Sequence, residues 1–186
     1  MKISLKSQLI LFLITFAIYL SIKDRDLAFL FSTAIAVISA VTIETFVFYF
    51  KEKKFLISGS SIISGLIVGF VLHSRQSPWL FSSASIIAIC SKYLLRFNKR
   101  HIFNPAAFGV FLATVLFGAT TAWKGTYLWY IILPFGIYFV YKIRKIEVIL
   151  GYFLAFFSLF GMQALMQKIN LLNIFGYLSY FYIFVM

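Results

Sequence analysis

The stretch that decides the fold class is Leu27–Phe50, LAFLFSTAIAVISAVTIETFVFYF, in which Glu44 is the only charged residue. A helix needs about 20 predominantly apolar residues to cross the hydrocarbon core of a bilayer. Working outward, comparable apolar runs separated by short connections fill the rest of the chain. The predicted fold is therefore all-α, a polytopic integral membrane protein of about eight transmembrane helices. The predicted spans are Ser7–Ile22, Leu27–Phe50, Phe55–Leu72, Pro78–Leu95, Ile102–Thr121, Gly125–Tyr141, Ile146–Met166 and Leu171–Met186.

The composition excludes the other broad classes. Of the 186 residues 62% are hydrophobic, 20% aromatic and only 12% charged, and the mean hydropathy is +0.98. Soluble domains average roughly 45–50% apolar and about 25% charged residues, and disordered chains are poor in aromatic residues. We predict a single transmembrane domain over residues 1–186. Since Tyr180–Met186 stays apolar without a polar flank, we expect the chain to be truncated at its C-terminus.

The net charge of +12 indicates membrane orientation rather than nucleic-acid binding, because the basic residues form short clusters between the apolar runs. On alternate sides of the predicted spans, the clusters hold twelve basic residues against five. The positive-inside rule places the N-terminus in the cytoplasm, and such clusters favour anionic lipid head groups. No small-residue cleavage site follows the first run, so it reads as an uncleaved span rather than a signal peptide.

The most specific motif is Phe103-Asn104-Pro105-Ala106, which follows Lys99, Arg100 and His101. Asn favours the helix N-cap and Pro the first helical position. The positive end of that helix and the basic residues would suit an anionic or carbonyl-rich ligand. The alternative is an abrupt helix start with no ligand.

Small residues dominate the start of the third run, at Ser58-Gly59-Ser60-Ser61, Ser64-Gly65 and Gly69. They predict either close helix packing or room for a flat ring near the membrane surface.

Glu44 is the only acidic residue well inside an apolar run, so it should be protonated, paired or turned to a polar cavity. It is a candidate functional residue, and the alternative is a carboxylate that reaches toward Lys51 or Lys53.

On the predicted external side of the membrane, Gly118-Ala119-Thr120-Thr121 precedes Trp123. The aromatic residues Trp123, Tyr127 and Trp129 are typical of an interfacial aromatic belt.

Other site chemistries find no support in the sequence. There is no nucleophile–base pair, phosphate loop or metal cluster, and Cys90 is the only cysteine. We therefore predict no catalytic residue and no metal site in this chain.

Between Ser58 and Trp123 the sequence resembles the D subunit of the Rnf electron-transport complex and the B subunit of the sodium-translocating NADH:quinone oxidoreductase. The matching features are Ser64-Gly65-Leu66, Ser77-Pro78-Trp79, Lys92, Phe103-Asn104-Pro105-Ala106 with Gly109, and Thr121-Ala122-Trp123. Ser39-Ala40 and Glu44 before a basic loop are also similar to the family.

The resemblance implies a subunit of a flavin-dependent electron-transport complex in the cell inner membrane, with other membrane subunits as partners. It implies coupling of electron transfer to sodium or proton movement, and a bound flavin, FMN or riboflavin. Because Glu44 lies inside an apolar run, we take it as the candidate ion-coupling residue. The candidate flavin-binding residues are Ser60, Ser64, Gly65, Phe103, Asn104 and Pro105. The family's flavin-bearing insertion after the tryptophan is missing beyond Trp123, so we expect non-covalent flavin, not attached through Thr120 or Thr121.

Two other function classes remain open from the sequence. A cofactor-free transporter or channel would also need an intramembrane acid and broken helices. A structural membrane subunit would hold partner subunits and nothing else. Flavin absorption by the purified protein would distinguish a flavin-dependent electron-transport subunit from the transporter or channel and from the structural subunit.

Overall fold

The computed structural model describes residues 4–53, 55, 57–97 and 100–143, and beyond them residues 146, 150, 151, 154, 157, 158, 161 and 162. The described elements are α1 (Leu5–Lys23), α2 (Leu27–Glu52), α3 (Gly59–Val71), α4 (Pro78–Leu94), β1 (Arg96–Phe97), β2 (Arg100–His101), α5 (Pro105–Phe117), a 3-10 turn (Thr126–Leu128) and α6 (Trp129–Ile143). The chain divides into two compact units, Met1–Lys124 and Gly125–Met186.

The all-helical prediction is confirmed, apart from the two-residue strands β1 and β2, which pair as a small antiparallel hairpin. Two described helices are long and apolar enough to cross a membrane, Leu5–Lys23 and Leu27–Lys51. The helices α3 and α5 are apolar but have 13 residues each, about 20 Å at ~1.5 Å per residue. Eight spans therefore stay a prediction; the described residues include eight from the predicted span Ile146–Met166 and none from Leu171–Met186.

Local capping explains why α3 and α5 are shorter than the apolar runs that contain them. The Ser58 side chain accepts a hydrogen bond from Ser60 N and starts α3. The Asn104 side chain accepts one from Ala106 N, with Pro105 at the first helical position, which confirms the predicted abrupt start. Gly118, at φ 65°, ends α5, because glycine adopts this left-handed conformation without a steric penalty.

The first unit packs small residues inside and large apolar residues outside. Its core joins α2 to α5 through Ala36, Ala84, Ala106 and Ala113, each fully buried. Hydroxyls and one carboxylate are buried with them, whereas large apolar side chains on the long helices are exposed: Leu11, Ile18, Phe31, Ile38 and Phe46. An apolar exterior of this extent is typical of a surface that faces lipid or partner subunits.

Glycines bring the helix backbones into contact. A Cβ atom at Gly65 would lie 2.6 Å from Val37 Cα, and one at Gly69 would lie 2.6 Å from Thr33 Oγ1. On the other side of the unit, a Cβ at Gly109 would strike the Ala84 carbonyl oxygen and lie 2.7 Å from Ala88 Cβ. The pairs α2–α3 and α4–α5 therefore use the close helix packing that the small residues predicted.

Gly109→Ala should destabilise the protein by about 1–3 kcal/mol, because the new methyl group would push α5 away from α4. Gly151→Ala is the matched control, since a Cβ there would meet no atom of the described residues within 4 Å. The thermal midpoint of the detergent-solubilised protein, followed by size-exclusion chromatography after heating, measures the difference. Equal midpoints for the two variants would contradict the close approach of α4 and α5.

Candidate functional site

Glu44 lies inside the first unit, on α2, with no exposed side-chain surface. A buried carboxylate is costly unless a cation or hydrogen-bond donors compensate its charge. In this structure both α3 and α4 supply groups to it. We call the four residues Glu44, Ser60, Lys92 and Tyr93 the Glu44 site.

Lys92, in the last turn of α4, provides the countercharge. Its ammonium group donates to Glu44 Oε1 and to Ser60 Oγ, and the Tyr93 hydroxyl donates to the same Oε1 at 3.1 Å. The alternative of a carboxylate reaching toward Lys51 or Lys53 is therefore wrong. The physical reason is that α4 packs against α2 and offers a cation inside the bundle, where the carboxylate needs one.

The second carboxylate oxygen of Glu44 is not satisfied. Among the residues that the structure describes, Oε2 is buried and has no hydrogen-bond partner. Most buried side-chain polar atoms in proteins are hydrogen-bonded. Oε2 thus remains an available acceptor next to a bonded ammonium group.

Positive charge surrounds the Tyr93 ring. Lys51 Nζ lies 5.0 Å and the Arg96 guanidinium carbon 4.9 Å from the ring centroid, within the range of a cation–π attraction. Lys92 Nζ lies 5.8 Å from the same centroid. The Tyr93 side of the Glu44 site is therefore cationic.

Of the residues predicted to bind flavin, Ser60 is part of the Glu44 site, whereas Ser64 and Gly65 are buried in α3. The room for a flat ring that the small residues predicted is not found beside Gly65. The backbone of α2 fills that space, with Ala36 O 2.9 Å from the position of a Cβ. Gly65 therefore makes a packing contact that a ring would have to break.

The other three predicted flavin residues lie at the start of α5. Asn104 and Pro105 form its N-terminal cap. The Phe103 side chain is 55% exposed and stacks on Phe108 with ring centroids 5.6 Å apart. This end of α5 thus combines the positive end of a helix with an exposed aromatic face.

A second charged cluster lies at the start of α2, which is the opposite end of that helix from Lys51. Lys124 Nζ donates to Asp26 Oδ2 at 2.6 Å and lies 3.5 Å from Asp24 Oδ2. The Ser74 hydroxyl donates to Asp26 Oδ2 at 2.8 Å. We call Asp24, Asp26, Ser74 and Lys124 the Asp26 cluster, which the sequence analysis did not predict.

Backbone pairing holds Lys124 in this cluster. Lys124 N donates to Phe70 O and Ala122 N donates to Val71 O, both at 2.9 Å. The Gln76 side chain bonds both Thr120 N and Thr120 O at 2.7 Å. The segment that contains the Thr121-Ala122-Trp123 motif is thereby tied to the end of α3.

The cluster changes the pKa of Asp26. Burial by itself raises the pKa, but the hydrogen bonds from Lys124, Ser74 and Phe29 N outweigh it and hold the pKa below its usual 3.8. A lowered folded-state pKa contributes stability above the unfolded value, and this contribution is lost as the pH falls through the folded value.

Asp26→Asn should lower the free energy of unfolding at pH 7 by about 2 kcal/mol, because hydrogen bonds to a charged group are lost. Its deficit relative to wild type should shrink as the pH falls below 3.8 and through the lower pKa of folded Asp26, where the wild-type side chain also becomes neutral. Unfolding midpoints at pH 7, 5, 4 and 3 measure this. Asp24→Asn is the control, with a smaller effect because its contact to Lys124 is longer; a pH-independent Asp26→Asn deficit would contradict the assignment.

Comparison with known proteins agrees with the resemblance inferred from the motifs. The profile of the NQR2, RnfD, RnfE family matches residues 2–127, a range that includes both the Glu44 site and the Asp26 cluster. No curated protein and no solved structure matches the chain. Because the family profile covers more than half of the sequence, the chain belongs to the NQR2, RnfD, RnfE family, whose members are membrane subunits of ion-translocating electron-transport complexes.

Proposed function

We propose that this subunit holds a flavin non-covalently and couples electron transfer to the movement of sodium or protons through Glu44. The observation that carries the proposal is the buried Glu44 carboxylate, whose Oε2 has no partner in the described part of the chain. A residue of this kind inside a membrane protein is a functional candidate by default. Membership of a family of ion-translocating complexes supports the same role.

Glu44 can bind a cation because only one of its two carboxylate oxygens is bonded among the described residues. Lys92 and Tyr93 both bond Oε1, which leaves the lone pairs of Oε2 for a proton or a metal cation. Glu44 precedes the end of α2 by eight residues, about 12 Å along the axis. A cation from the adjacent surface therefore has a short distance to travel to reach it.

The start of α5 is the part of the described structure best suited to a flavin. A helix N-terminus attracts the phosphate of FMN, and the exposed Phe103 ring can stack on a flat ring system. Asn104 and Pro105 would fix the position of that helix end, and Ser60 could donate a hydrogen bond from the start of α3. When bound, the flavin would supply the electron-carrying chemistry.

The purified complex should show flavin absorption bands in the visible region. Phe103→Ala should lower the bound flavin several-fold, because the stacking surface is lost. Phe117→Ala, which removes another exposed aromatic residue from α5, should leave flavin content unchanged. A clear spectrum would favour the cofactor-free transporter or the structural subunit. A fluorescent band on denaturing gels that disappears in Thr120→Ala or Thr121→Ala would contradict non-covalent binding.

Glu44→Gln should reduce ion movement more than electron transfer, because glutamine keeps the shape and removes the charge. Flavin content and folding should stay largely intact, since Lys92 is near the end of α4 and can turn toward the surface. Ion uptake and electron transfer by reconstituted complex measure the two rates, with Asp24→Asn as an acid-to-amide control outside the site. Equal loss of both rates, or loss of folding, would contradict a coupling role.

We also propose a multi-pass topology with a cytoplasmic N-terminus, supported by the asymmetry of basic residues. In a Cys90→Ser background, a cysteine at Lys53 should resist a membrane-impermeant thiol reagent in intact cells. A cysteine at Arg75 should react, because this exposed residue lies in the connection before α4. The reverse labelling pattern would invert the topology.

A further inference from the structure

The Lys92 ammonium group occupies the position beside Glu44 where a mobile cation would bind. It bonds Glu44 Oε1 and Ser60 Oγ together. We propose that Lys92 is a tethered counterion: a monovalent cation occupies the Glu44 site only when the Lys92 ammonium withdraws, so Lys92 controls access to Glu44. This inference rests on the proposed function, in which Glu44 is the ion-coupling residue.

The groups around Lys92 would suit a small cation once the ammonium has left. Glu44 Oε1 and Oε2, Ser60 Oγ and the Tyr93 hydroxyl are all oxygen atoms, which hard cations prefer. The site carries one negative charge, so one monovalent cation balances it as Lys92 does now. A sodium ion and a proton share this chemistry, and the experiment below distinguishes them.

The unpaired oxygen separates this arrangement from an ion pair that only stabilises the fold. Glu44 has no exposed surface, yet Oε2 lacks a partner within the described residues. A pair with a purely structural role would be expected to satisfy both oxygens, because buried unpaired acceptors are unfavourable. Oε2 gives an incoming cation a first contact while Lys92 still holds Oε1.

Lys92 is placed so that it can withdraw. It lies in the last turn of α4, its side chain is 12% exposed, and its stem of four methylene groups is flexible. Lys92 and Tyr93 of α4 bond Glu44, and Ser60 of α3 accepts from the same Lys92 ammonium group. Lys51 and Arg96 at the Tyr93 ring repel a withdrawing ammonium, so the exchange needs the positive charge of the incoming cation at Glu44.

The first experiment uses the wild-type full chain in membranes. Lysines are modified with an amine-reactive reagent and quantified by mass spectrometry, with Na⁺ replacing K⁺ at constant ionic strength and pH. When Na⁺ occupies most of the Glu44 sites instead of a minor fraction, most Lys92 side chains should be withdrawn. Modification of Lys92 should therefore rise about tenfold. Lys124, which is paired with Asp26, is the control and should not change. To test whether the cation is a proton, the modification is repeated without Na⁺ at decreasing pH. The ratio of Lys92 to Lys124 modification should then rise as the pH falls toward 5.

The second experiment uses Lys92→Met, which removes the tethered charge. The thermal midpoint of this variant should rise with Na⁺ at a concentration about tenfold lower than wild type requires, because a ligand that binds the folded state stabilises it. If the cation is a proton, the midpoint should instead rise as the pH falls without Na⁺. The double variant Glu44→Gln/Lys92→Met should lose either dependence.

The outcomes decide the proposal separately from the coupling role of Glu44. A response of wild-type Lys92 modification to Na⁺ or to pH supports the tethered counterion and identifies the cation, and the Lys92→Met midpoint should then respond to the same cation. If wild-type Lys92 modification does not respond, the pair is structural and the proposal is wrong, even where the Lys92→Met midpoint responds or Glu44→Gln still uncouples ion movement. If Lys92→Met fails to fold, the wild-type modification experiment decides alone.

Discussion

The close approach of α2 and α3 is the constraint on which the candidate site depends. Gly65 lets the two backbones touch, and any Cβ atom there would overlap Val37. Because α3 lies this close, Ser60 at its start reaches the same ammonium group as Glu44 of α2. A wider spacing would separate these side chains and leave a carboxylate without compensation inside an apolar bundle.

Two ion pairs lie along α2, one at its start and one eight residues before its end, and each uses one lysine from a later segment. Lys124 bonds Asp26 at the start of the helix, and Lys92 bonds Glu44 toward its end. The two carboxylates differ in how fully they are hydrogen-bonded. Asp26 also accepts from the Ser74 hydroxyl and Phe29 N, whereas Glu44 Oε2 has no partner among the described residues. The Asp26 cluster ties the start of α2 to the segments that contain Ser74 and Lys124. The Glu44 site leaves Oε2 as an acceptor for a proton or a metal cation.

Sequence reasoning reached the parts of the site that depend on local patterns. Glu44 was identifiable because it is the only acid in its run, and the start of α5 because Asn104 and Pro105 act within one helical turn. Lys92 was recognised as a residue that matches the family, but the sequence did not indicate its partner. Its pairing with Glu44 spans 48 positions, and no local signal reveals which of several nearby lysines a buried carboxylate will bind.

By itself the sequence determined the helical membrane class, the family and the approximate helix order, because hydropathy, caps and motifs act over short stretches. Only the tertiary structure decided that α2 fills the space beside Gly65, that Lys124 belongs to Asp26, and that Lys92 and Ser60 meet at Glu44. These outcomes depend on which helix faces approach within hydrogen-bond distance. That choice follows from the packing of the whole unit, since each small residue permits a close contact without specifying its partner.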